Sequence, residues 1–203
     1  MTTRARRIFF AGASGVIGHR LLPLLVDAGH TVGAMTRSPG KAATLAACGA
    51  VPIVCDVFDR SALAAAVATF APDLMLHELT DLPDELAELP EDSTANARIR
   101  LEGTQNLLDA TRGLGYVKVL AQSVAWTMRP GAEAAAVAAL ERTVLAANGV
   151  VLRYGLLYGP GTYFERSLPE GPRVHIDTAA ARTLKALAAP PGILTIVDSG
   201  VPR

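Results

Sequence analysis

The chain has 203 residues, 50% of them hydrophobic, with 19 basic and 19 acidic side chains, so it carries no net charge to draw it to nucleic acid or an anionic membrane. That length suits one compact domain with an ample core, and neither a transmembrane run nor a signal peptide precedes the first apolar segment. Cys48 and Cys55 are too few and too close to form a disulfide scaffold, which points to a reducing, cytoplasmic setting.

In chain order, short apolar runs alternate with helical patterns. Strands are expected at 7–11, 31–35, 51–55, 73–77, 117–121 and 149–154, and helices at 16–28, 39–47, 60–70, 94–113, 132–147 and 178–188. A last strand is expected within 192–200. Alternation of this kind gives an α/β fold: a Rossmann-type, doubly wound parallel sheet with helices on both faces and ligand at the carboxyl ends of the strands. Between the fourth strand and the next helix, the acidic, proline-punctuated stretch 81–92 reads as a surface loop, with Asp92 or Ser93 able to cap the helix that follows.

The first turn carries the strongest signal. Gly12, Gly15 and Gly18, spaced G-x-x-G-x-x-G, sit between the run Ile8-Phe9-Phe10 and a helix whose apolar residues recur at Ile17, Leu21, Leu22, Leu24 and Leu25. Glycines let the backbone approach a pyrophosphate, whose charge then meets free N–H groups and the positive end of the helix dipole, so Ser14, Val16 and Ile17 join the glycines as cofactor-binding candidates. The second strand bears on which dinucleotide. A carboxylate there would bind the ribose 2'-hydroxyl, but the strand ends Thr36-Arg37-Ser38 with Lys41 a turn later. Arg37, Ser38 and Lys41 offer donors and charge to a 2'-phosphate, which favours NADP(H) and leaves NAD(H) open.

These glycines, together with Cys55-Asp56-Val57-Phe58-Asp59, His77, Asn96 with Gly103-Thr104-Gln105-Asn106-Leu107-Leu108, Gln122-Ser123, Leu152-Arg153-Tyr154-Gly155, Tyr158-Gly159-Pro160-Gly161 and His175-Ile176-Asp177-Thr178-Ala179-Ala180, resemble the extended short-chain dehydrogenase/reductase superfamily, in its NAD(P)-dependent epimerase/dehydratase branch. The resemblance covers nearly the whole chain. It implies that Asp56 and Val57 flank the adenine, that Leu79 and Thr80 line the cofactor path, that Asn96, Tyr154 and Gly155 belong to the cofactor site, and that Ser123 takes the catalytic serine position. It further implies pairing into a homodimer through helices 94–113 and 132–147. Relatives in this branch carry a larger C-terminal region. Here residues 1–154 read as the dinucleotide-binding domain, and 155–203 as an abbreviated substrate region packed on that same domain.

The resemblance also exposes a gap. In the superfamily a tyrosine moves the proton while a lysine lowers its pKa and holds the nicotinamide ribose. Counted from Glu141, the lysine position holds Val137 and the tyrosine position holds Glu133, and no lysine lies between Lys118 and Lys185. A valine cannot hydrogen-bond, and a glutamate of ordinary pKa is a base at neutral pH. Glu133 is therefore a catalytic candidate only if burial raises its pKa. Tyr154, Tyr158 and Tyr163, read in the loop after the sixth strand, offer a replacement phenol. His77 reads as a packed or capping histidine rather than a base, although Glu78 beside it leaves a cleft role open, His19 and His30 read as surface or capping residues, and no His and Cys set has the spacing of a metal site. The expected function is that of an atypical NADP(H)-binding oxidoreductase or epimerase/dehydratase-like enzyme on a small organic or carbohydrate-like substrate. A non-catalytic NADP(H) sensor or a biosynthetic accessory protein is the alternative.

Overall fold

Successive residues of the first strand point into different cores. β1 (Arg7–Ala11) sends Ile8 and Phe10 to one side and Phe9 and Ala11 to the other, all fully buried. A strand covered on both faces needs helices on both faces, which crossover connections between parallel strands supply. The computed structural model describes residues 4–83, 85–88 and 94–199. Its further strands are β2 (Thr31–Thr36), β3 (Val51–Val54), β4 (Leu74–His77), β5 (Lys118–Val124), β6 (Val150–Tyr154), β7 (Leu156–Tyr158), β8 (Arg173–His175) and β9 (Gly192–Ile196). Seven of them form one parallel sheet in the order β3-β2-β1-β4-β5-β6-β9, and β7 and β8 form a small parallel pair. The order reverses between β1 and β4, where a crevice opens beyond the carboxyl ends.

The helices are α1 (Val16–Asp27), α2 (Ala42–Ala47), α3 (Arg60–Phe70), α4 (Thr94–Arg98), α5 (Thr104–Ala110), α6 (Ala132–Ala146) and α7 (Ile176–Ala186). Leu21 and Leu25 of α1 and Ile176 and Ala180 of α7 cover Phe10, Leu76 and Leu152 on one face. On the other, Leu63 and Val67 of α3 and Leu107 of α5 cover Phe9, Met75 and Val119, while Leu140 and Val144 of α6 close over Ala121 and Val151. β9 extends the main sheet beside β6, so the C-terminal residues complete the same layer. The buried Lys118 ammonium, at the start of β5, donates to the carbonyls of Leu187 (2.9 Å) and Ala189 (2.5 Å) and so fixes the end of α7.

The expected strands and helices all occur, with ends shifted by a few residues, and two features differ in kind. The helix expected over 94–113 is interrupted by one turn of π-helix at Ile99–Gly103 and ends at Ala110, with Gly113 and Gly115 at positive φ beyond it. The helix expected from 178 starts two residues earlier, where the His175 side chain accepts from Asp177 N (3.3 Å). The cap read at Asp92 or Ser93 lies outside the described residues. No helix among the described residues is long and apolar enough to cross a membrane.

Candidate active site

The turn after β1 is pressed against the end of β4. A Cβ on Gly12, which has φ +98°, would lie 2.6 Å from the Glu78 carbonyl, and one on Gly18 would lie 2.3 Å from the Ala13 oxygen. Gly15 is different: it is exposed, its φ is −84°, and an added Cβ would meet only Gly12 O at 3.3 Å. It is the N-cap of α1 and supplies no side-chain cap, so the first N–H groups of the helix face the crevice beside the 38% exposed Val16. Ile17 contributes its backbone only, its side chain being core. Ser14 Oγ lies 3.4 Å from Thr36 Oγ1, which also accepts from Ser38 N (3.2 Å), and this links the turn to the end of β2. A diphosphate fits this cradle.

On the β2 and β3 side, Arg37 is exposed and pairs with Asp81 (3.1 Å), with Ser38 and Lys41 beside it. Asp56 accepts from Phe58 N (2.9 Å), Val57 is buried, and the Arg98 guanidinium lies 3.7 Å above the Phe58 ring. Leu79 and Thr80 continue from β4 at the edge of the crevice, with Leu79 N donating to His77 Nδ1 (3.3 Å). That bond and the contact of His77 Nε2 with Thr104 Oγ1 (3.0 Å) fix a neutral ring. Burial, and then the Arg100 charge, lower its pKa to about 3, so His77 is a packed group and not a base.

Between β4, β6 and α7 runs a buried polar chain. Tyr154 Oη lies 3.0 Å from Glu78 Oε1 and 2.6 Å from Thr183 Oγ1, and Thr183 donates to the Ala179 carbonyl (2.8 Å). Three contacts need three protons, and the two hydroxyls supply two. A protonated Glu78, donating to the phenol while the phenol donates to Thr183, supplies the third. Burial pushes Glu78 up to about 8, and its Oε2 has no partner among the described residues, so the neutral acid is the form that suits the site. Tyr154 is not in a loop but ends β6, 2% exposed, and burial and then Glu78 raise its pKa well above 10. It is not the replacement phenol. Tyr158 donates to Asp198 (2.7 Å) and Tyr163 to the Pro83 carbonyl, so neither of them supplies one.

The opposite face holds the remaining candidates. Ser123 is fully buried and donates to Glu141 Oε1 (2.5 Å), and Arg153 grips the same carboxylate through Nε (2.8 Å) and Nη2 (2.5 Å). Burial pulls Glu141 up, but the Arg153 fork, the Ser123 hydroxyl and the Arg100 charge outweigh it and hold the group ionised. The Ser123 hydroxyl thus spends its proton on α6, whereas the role expected of it needs that proton aimed at a substrate oxygen. Asn96 on α4 accepts from Asp81 N (3.3 Å) and donates to Glu133 Oε1 (2.5 Å) at the start of α6. Gly155 lies where a Cβ would come 2.7 Å from the Arg173 backbone, so it answers to β8.

A family model described as NAD(P)H-binding matches residues 12–134. The chain belongs to that family. It is 33% identical over 234 aligned residues to a 3-diazoavenalumate denitrifying reductase of a Streptomyces species, covering 95% of this chain and 76% of the relative. In fold it is similar to Thermus thermophilus UDP-glucose 4-epimerase in complex with NAD (TM-score 0.76, 21% identity, 94% of this chain and 77% of that one). A Burkholderia cenocepacia short-chain dehydrogenase in complex with NADP is also similar (TM-score 0.71, 18% identity, 94% and 87%). The chain is therefore an NAD(P)H-binding protein with the fold of the short-chain dehydrogenase/reductases.

Thr183 and Arg100 escaped sequence reasoning, as did the pairing of Arg153 with Glu141. An arginine inside an otherwise apolar helix face signalled the second.

Two outcomes follow from this geometry. Gly15→Val requires Gly12 O, 3.3 Å from the added Cβ, to give by a few tenths of an ångström and should cost about 1 kcal/mol as a poorer cap, yet should abolish NADPH binding in a fluorescence titration of the folded variant; undiminished affinity would remove the diphosphate from this turn. Glu78, ordinary unfolded and raised when folded, stabilises the protein in its protonated state. Stability from this group should fall as pH rises from 4.5 to about 8, by roughly 5 kcal/mol. His77, lowered when folded, works in the opposite direction between about 3 and 6.5. The net decline should therefore show above pH 6.5 in urea unfolding and vanish in Glu78→Gln; an unchanged profile in that variant would refute the neutral acid.

Proposed function

We propose that the chain is an NADPH-dependent reductase of electron-poor arenes whose reduction requires no proton from the protein, with an arenediazonium as the first candidate. The observation that carries this reading is the catalytic wall itself. The place resembling the family's tyrosine holds the carboxylate of Glu133, the place resembling its lysine holds Val137, and the nearby hydroxyl of Ser123 is spent on Glu141. Reduction of a carbonyl leaves an alkoxide that must be protonated, and the described residues of this wall offer no positioned acid. A diazonium needs none.

The reduced nicotinamide, when bound, supplies hydride. In the net reaction Ar–N2+ + NADPH → ArH + N2 + NADP+, a C–H bond forms, the C–N bond breaks, and its electron pair leaves with dinitrogen. Glu133 contributes a negative charge that attracts and orients a cationic acceptor, while Asn96, donating to that carboxylate, fixes its direction. The name of the Streptomyces relative, a diazo compound's denitrifying reductase, describes the same class of change.

For the cofactor, the end of β2 supports NADPH over NADH. The end of β2 carries no carboxylate of its own, and the partner of Arg37 among the described residues is Asp81 (3.1 Å), an exposed pair that costs little to break when a phosphate competes. Arg37→Ala should weaken NADPH by about 1 to 3 kcal/mol and leave NADH nearly unchanged in parallel titrations. Equal losses for both would exclude a 2'-phosphate contact.

The reductase reading is tested by following NADPH oxidation in the presence of 4-carboxybenzenediazonium, using NADPH deuterated at the transferable position. Stoichiometric dinitrogen and deuterium at the arene carbon are expected. Tight NADPH binding with no oxidation by diazonium, quinone or aldehyde would make the chain a cofactor sensor instead.

A further inference from the structure

Arg100 is the one charged group of the wall that the foregoing leaves without a task. It sits inside the π turn between α4 and α5, one helical turn beyond Asn96, and is only 4% exposed. Its Nε is buried and has no hydrogen-bond partner among the described residues. The charges around it are engaged elsewhere. Glu141 is gripped by Arg153 and Ser123, Glu133 accepts from Asn96, and His77 is neutral between Thr104 and Leu79. Glu133 and Glu141 act on Arg100 only through space.

A guanidinium carries five donors in a planar fork and stays charged, so burying one with no acceptor costs several hydrogen bonds unless something arrives to accept them. Asn96, Arg100 and Glu133 line the same wall, and π turns of this kind recur where a helix is bent to serve a ligand. We infer that Arg100 binds a planar oxyanion, a carboxylate or a phenolate, carried by the acceptor, while Glu133 faces its electron-poor part. Two oxygens, or one oxygen with two lone pairs, then satisfy the fork. The inference deepens the reductase reading and rests on it for the word acceptor. An acceptor that is cationic at one point and anionic at another would match both charges of the wall.

The test uses binding, not turnover. Protein saturated with NADP+ is titrated by calorimetry with benzoate and with 4-nitrophenolate above its pKa, with benzamide and 4-nitroanisole as neutral controls. At least one anion should bind, and Arg100→Gln should weaken it by about tenfold or more, the loss expected of a charge-assisted pair, with the neutral controls and NADP+ little affected. Whichever anion suffers the loss identifies carboxylate or phenolate. If Arg100→Gln does not fold, Arg100→Lys is read in its place: it keeps the charge without the fork and should show a smaller loss in the same anion. Equal anion affinity in parent and variant would overturn the proposal, as would a loss that falls on NADP+ instead. Arg100-dependent anion binding in a protein that never oxidises NADPH would overturn the reductase reading alone.

Discussion

Everything in the crevice depends on how closely the first turn approaches the fourth strand. With Gly12 against the Glu78 carbonyl, β1 and β4 can lie side by side with their ends level, and α1 starts with its N–H groups directed across the gap. A side chain at position 12 would wedge the two strands apart at the point where the sheet changes direction. The same closeness decides the fate of Glu78. Its backbone is fixed beneath the turn by the bond from its N–H to Ala11 O (2.8 Å), and its side chain must then go into the core between Tyr154 and Thr183.

The two faces of the sheet solve the problem of buried polarity differently. Beneath α1 and α7 a single acid is kept uncharged and joined to two hydroxyls and a helix carbonyl, so the apolar layer there contains no formal charge. Beneath α6 the charges are kept and paired: Glu141 has a bidentate arginine and a hydroxyl, an arrangement whose attraction offsets much of the desolvation cost. Lys118 belongs to neither solution. Its ammonium sits at the foot of the sheet on the carbonyls that end α7, so the helix supplying Thr183 to the polar chain is moored to β5 at its far end.

Much of this could be read from the residues, and the reasons are local. β1 and α1 announce themselves through period and glycine spacing. What escaped depends on long-range partners. Ser123 looks like any hydroxyl at a strand end, and only the juxtaposition with Glu141, eighteen residues on and one layer away, reveals where it points. Tyr154 closes the strand expected at 149–154, but the burial of its phenol against Glu78 and Thr183 depends on partners 76 and 29 residues away. The π turn leaves no mark in hydrophobic period beyond a slight drift, and the small β7–β8 pair consists of three-residue segments too short to show alternation.

The unequal roles of the three glycines bear on how such a motif should be read in other chains. Gly12 and Gly18 are demanded by neighbouring backbone, and a chain that had abandoned its ligand would still need both to fold this way. Gly15 is exposed, and an added Cβ would meet one oxygen, Gly12 O at 3.3 Å, so the surrounding backbone constrains it less than the outer two. In a chain that no longer used a dinucleotide, the middle glycine would therefore be the first of the three free to change.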